Sequence, residues 1–118
     1  MTDAQKLETL GTLLDDGSGA VPSEDKLEVY LALAKTEILQ WMYHLVGGVP
    51  DSVTEIPDRY EVTQIYAVVA GYTHAGAEGQ NQHIENGVQR AFVYSDMLDY
   101  IRNNVMAIAR IGAVSNGA

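Results

Sequence analysis

Between Ser23 and Gly48 the apolar residues return every three or four positions, at Leu27, Tyr30, Leu31, Ala34, Ile38, Trp41, Met42 and Leu45. An α-helix turns once per 3.6 residues, so this spacing gathers them on one face, while Lys26, Glu28, Lys35, Glu37 and Gln40 fall mostly off it. The run is flanked by matching end signals. Pro22 and Ser23 stand before it, with Glu24 and Asp25 where the helix dipole favours negative charge. Gly47 and Gly48 come after it, with His44 in the last turn where a partial positive charge is favoured. A helix of this length with a single apolar face must find other helices to cover that face, which points to a mainly α fold.

The rest of the chain supplies them. Thr2 and Gln5 fit a capping box opening a short helix with Leu7, Leu10, Leu13 and Leu14 at helical spacing. Asp15-Asp16-Gly17-Ser18-Gly19 then breaks the pattern with turn chemistry. Residues 49 to 57, bounded by Pro50 and Pro57, read as an ordered connector. Asp58 with Glu61 repeats the capping-box spacing, and Val62, Ile65, Tyr66, Val69, Tyr72 and Thr73 give a third apolar face from about Arg59 to Ala75, stopping at Gly76. Ser95 is positioned to cap a fourth helix carrying Leu98, Ile101, Val105 and Ile108, with Arg110 near its end and Gly112 to terminate it. The expectation is a small bundle of about four helices in one domain spanning residues 1–118. Its core is expected at Leu27, Leu31, Ile38, Trp41, Leu45, Ile65, Val69, Tyr72, Leu98, Ile101 and Val105. Tyr30 and Tyr66 are placed on buried faces with Tyr72, as core volume with a polar tip. Residues 112–118 are expected to form a flexible tail.

Composition narrows the function classes. Sixteen acidic residues against seven basic ones give a formal charge of −9, the opposite of a surface made to neutralise nucleic-acid phosphates. The chain has no cysteine, so disulfides and thiolate metal sites are excluded. The N-terminal residues lack the charged and apolar pattern of a signal peptide. No apolar run reaches the roughly 20 residues of a membrane span, so a soluble, unsecreted protein is expected. His44, His74 and His83 stand one per region, too scattered for the three or four converging ligands of a metal site. There is no Gly-x-Ser-x-Gly elbow and no phosphate-binding Gly-x-x-x-x-Gly-Lys loop. The expectation is a protein without catalysis, metal or cofactor.

One segment departs from the helical pattern: "GAEGQNQHIENGVQRAF", residues 76 to 92. Asn86-Gly87 is a strong two-residue turn signal. A type I′ turn there would pair Glu85 with Val88, His83 with Arg90 and Asn81 with Phe92, placing Val88, Arg90 and Phe92 on one side. An isolated two-stranded hairpin is marginal in water, so the segment is disordered, packed on the helices or held by another chain.

The order of elements, together with Gly76-Ala77-Glu78-Gly79, the polar run, Glu85-Asn86-Gly87, Arg90 and the final helix, resembles the head-tail connector family of tailed bacteriophages, the head completion or adaptor proteins. Gln89 departs from the small hydroxyl residue of that pattern, and Phe92-Val93 replaces a more polar pair. The resemblance runs from the second helix to about Ile111, and residues 76 to 92 are its distinctive part. It implies a helical bundle assembled as a homo-oligomeric ring, commonly of twelve copies. The ring would sit beneath the portal protein, extend the DNA channel and dock the stopper or tail-completion protein. DNA would pass through without sequence-specific binding. It further implies a place at the head–tail interface of the virion, reached from the host cytoplasm during assembly, with residues 76–94 as a protruding loop or arm. Glu78, Gln80, His83, Ile84, Asn86, Gly87, Arg90 and Phe92 would then make contacts between subunits. The competing class is an acidic helical module that regulates a partner by occupying its groove.

Overall fold

The computed structural model describes residues 1–15, 21–78 and 92–109, with the backbone alone for 73–78. Its architecture is mainly α: α1 (Asp3–Leu14), α2 (Glu24–Tyr43), a 3-10 turn (Asp58–Tyr60), α3 (Glu61–Glu78) and α4 (Tyr94–Asn104). The turn expected at Asp15 to Gly19 lies beyond residue 15 outside the described residues. So do residues 79–91 of the segment expected to form an arm, and Arg110, Gly112 and the expected tail.

The helix starts obey local chemistry where a polar cap is free to act. The Thr2 hydroxyl accepts from Gln5 N–H at 3.1 Å and the Gln5 side chain accepts from Thr2 N–H at 2.9 Å, the reciprocal pair that the spacing predicts. Ser23 accepts from Lys26 N–H and opens α2. At its other end, Gly48 N–H reaches back to the Tyr43 carbonyl at 3.0 Å. That closure carries Gly47 and Gly48 through φ of 97° and 108°, a region open to glycine and strained for other residues.

α3 is the hub, packed against α1, α2 and α4. It meets them through Ile65, Ala67, Val68 and Tyr72, all buried, together with Gln64. The remaining core is built from Leu10 and Leu14 of α1, from Leu27, Leu31, Ala34, Ile38, Leu39 and Met42 of α2, from Ile56 and Tyr60 ahead of α3, from Met97 and Ile101 of α4, and from Val105 after it. Of the residues expected in the core, Leu27, Leu31, Ile38, Ile65, Tyr72, Ile101 and Val105 are buried there, and Trp41 and Val69 pack half-buried against it.

Other expectations are corrected. Leu45 is 49% exposed, because α2 gives way to turns after Tyr43 and carries that position past the layer that would cover it. Leu98 is half-buried at the edge of a cleft. Val62 and Tyr66 are 55% and 41% exposed: enclosure on three sides turns the 64–68–72 row of α3 inward and leaves theirs outside. Asp58 does not cap α3. The Tyr60 N–H bonds to the Pro57 carbonyl at 2.9 Å in the 3-10 turn, and the Glu61 carboxylate accepts from the Met1 ammonium at 2.9 Å. α3 continues through Gly76 to Glu78, two to three residues beyond the expected stop.

The fourth helix differs most. Ser95 makes no cap; α4 begins at Tyr94 behind Val93, whose own N–H bonds to the Gly71 carbonyl at 3.1 Å. The helix also ends early, at Asn104, and Val105 is extended. Three tertiary bonds hold the chain beyond Asn104: Trp41 Nε1 donates to the Val105 carbonyl at 2.9 Å, Met106 N–H to the Tyr60 hydroxyl at 3.1 Å, and Ile108 N–H to the Met42 carbonyl at 2.7 Å. Each satisfies a backbone group the helix would have used itself, and together they lay Val105 into the core at 5% exposure.

Candidate functional site

Two places bring polar or aromatic groups together in a way the helices alone do not require. The first lies where the chain enters α4, at Phe92. Phe92, the only phenylalanine, returns the chain from the undescribed segment and stacks on Tyr30 with ring centroids 3.9 Å apart. It meets Tyr72 edge-on at 5.1 Å, and Tyr30 meets Tyr72 edge-on at 5.6 Å. Gly71 makes this seat possible, since a Cβ built there would collide with the Phe92 ring. Phe92, expected among the contacts between subunits, packs half-buried against rings of its own chain. The reason is apolar area: two tyrosine rings and a glycine notch receive it within the molecule. Burial, with Tyr30 beside it, pushes the Tyr72 phenol up to about 12.

Of the other expected contact residues, Glu78 closes α3. Gln80, His83, Ile84, Asn86, Gly87 and Arg90 lie outside the described residues.

The second place is a cleft of about 260 Å³ between the C-terminal half of α2 and α4. Trp41 lines it. The indole N–H is already committed to Val105, so only the ring surface is offered. His44 stacks on it at 4.3 Å with 21° between the planes. Its Nδ1 lies 2.6 Å from the Trp41 carbonyl; a carbonyl oxygen only accepts, so Nδ1 carries the hydrogen and Nε2 remains for other partners. The Arg102 guanidinium lies 5.6 Å from the indole centroid, within cation–π range. Glu37 also lines the cleft, its carboxylate accepting the Tyr94 hydroxyl, and that bond raises the Tyr94 pKa. Arg102 and Glu37 share the cleft without forming an ion pair, and among the described residues Arg102 has no salt bridge.

Sequence reasoning placed Trp41 in the core and missed this cleft. The available signal was the Glu37, Trp41, His44 spacing, which aligns the three on one side of α2; Arg102 joins them only through the packing of α4. Among the described residues no group of three or more metal-ligating side chains converges, and no helix is long and apolar enough to cross a membrane. Comparison of the chain with models of known families, with curated proteins and with solved structures gave no match.

Proposed function

We propose that the chain is a structural ring adaptor of a tailed bacteriophage, assembled between the portal and the stopper or tail, where it extends the DNA channel and completes the head after packaging. The observation that carries this reading is the block from Gly76 to Phe92, whose pattern resembles the connector family. Its place between α3 and α4 supports the reading. The chain leaves along α3 and returns through Phe92 on Gly71, so an arm of this composition starts from a fixed base. The charge of −9 is consistent with a channel wall that lets DNA slide, since repeated acidic copies oppose the counterion-releasing contacts that make DNA stick. The role is structural, with the virion as its place and the host cytoplasm as the site of assembly.

Light scattering and negative-stain microscopy of the purified chain, alone and mixed with portal protein, test this directly. Rings are expected. A persistent monomer in both conditions overturns the adaptor and favours the regulatory module. Within the adaptor, Gly87→Val, which forbids the positive φ of the turn, is expected to impair assembly more than folding. Arg90→Glu is expected to weaken assembly as well, and unchanged infectivity of phage carrying it would remove Arg90 from the arm contacts.

A further inference from the structure

Copies of a chain with a charge of −9 repel one another, so a contact that sets a cation of one against a carboxylate of the next is favoured. Five Lys and Arg side chains lie among the described residues. Lys6 is buried and donates to Gln64 at 2.6 Å, Lys35 is paired with Glu55 at 3.2 Å, and Arg59 lies over the Tyr60 ring at 4.8 Å. Lys26 stands in the first turn of α2 beside Glu24 and Asp25. Arg102, like Lys26 and Arg59, is exposed and without a salt bridge among the described residues, and it lines a concave site beside the Trp41 ring.

We propose that the Trp41–His44–Arg102 cleft receives a carboxylate-bearing segment of a second copy of this chain. The Arg102 guanidinium offers paired N–H donors to the incoming carboxylate, and the Trp41 ring beneath keeps it from collapsing into solvent-averaged positions. Leu98 and the indole surface cover the apolar stem of the incoming side chain. Glu37, which also lines the cleft, repels a carboxylate placed against it, so the cleft orients as well as attracts. The Debye length of about 8 Å at physiological salt lets this local positive charge act despite the negative charge of the whole. The inference rests on the adaptor reading, and it names one of the surfaces through which the copies would join.

Trp41, the only tryptophan, reports on the cleft, so the test tracks its emission across a concentration series beside light scattering. Three proteins are compared: the unaltered chain, Arg102→Glu, and Lys26→Glu, which makes the same charge change at the far end of α2. The unaltered chain is expected to associate with a change in Trp41 emission over the same concentration range, and to associate more weakly as salt rises. Arg102→Glu should associate at least about tenfold more weakly with an unchanged melting temperature, and Lys26→Glu should behave like the unaltered chain. Association that leaves Trp41 emission constant, or that Arg102→Glu does not weaken, overturns the cleft while leaving the ring intact. Equal weakening by both substitutions also overturns it, since net charge would then be the cause. A chain that does not associate at all removes both the ring and this contact.

Discussion

At Gly71 two opposing effects of one methyl group can be compared. Glycine inside a helix is less favourable than alanine by about 1 kcal/mol, so on propensity alone Gly71→Ala should stabilise α3. The added Cβ would overlap a Phe92 ring held between Tyr30 and Tyr72, and overpacking of that kind costs about 1 to 3 kcal/mol. A net loss in urea unfolding is therefore expected. A Cβ added at Gly11 meets nothing within 4 Å, and Gly11→Ala should gain about 0.5 to 1 kcal/mol. Equal gains at both positions would mean that Phe92 does not occupy its seat. Tyr72, in the same cluster, predicts a pH dependence. Its folded-state pKa, raised to about 12, lies above the value of about 10 in an unfolded chain, so its contribution is fully present below pH 10 and lost as pH climbs toward 12. Absorbance titration should show a late phenolate step that Tyr72→Phe removes. The sequence placed Tyr72 in the core correctly; it could not place Phe92, because the notch that receives it is the absence of a side chain.

At the scale of elements, α1 is tied down by a buried polar bridge. Lys6 Nζ donates to the Gln64 side chain at 2.6 Å, and Gln64 Nε2 donates to the Leu31 carbonyl at 2.8 Å, so one amide joins α1, α3 and α2. Gln64→Leu strands an ammonium and a carbonyl in the interior and is expected to lower stability by about 2 to 4 kcal/mol, with faster amide exchange in α1. Lys6→Met should be milder, since it removes the charge along with its need for a partner. An equal loss from both would assign the effect to packing. Neither residue stood out in the sequence, where Lys6 sits among the polar residues of a surface-like helix. The helix starts at Thr2 and Ser23 were legible because a cap is settled within four residues. The start and stop of α4 were not, since Val93 is held by Gly71 and Val105 by Trp41, residues more than twenty positions away in the chain.

For the whole molecule, the contact of α3 with every other helix predicts cooperative unfolding. Ile65, 1% exposed in that hub, is expected to lose about 2 to 5 kcal/mol on substitution by alanine, with helical circular dichroism and Trp41 emission falling in one shared transition. Separated transitions would show that the helices do not share one core. The mainly α class, one long apolar-faced helix and most of the core came from periodicity alone, because helix geometry fixes which residues of one segment share a face. Which side of α3 turns inward, where α4 ends, how Phe92 is seated and how Arg102 comes to lie over Trp41 were decided only by the tertiary structure. Each depends on contacts between segments far apart in the chain, and a local pattern carries no information about which distant group will take a given hydrogen bond or fill a given space.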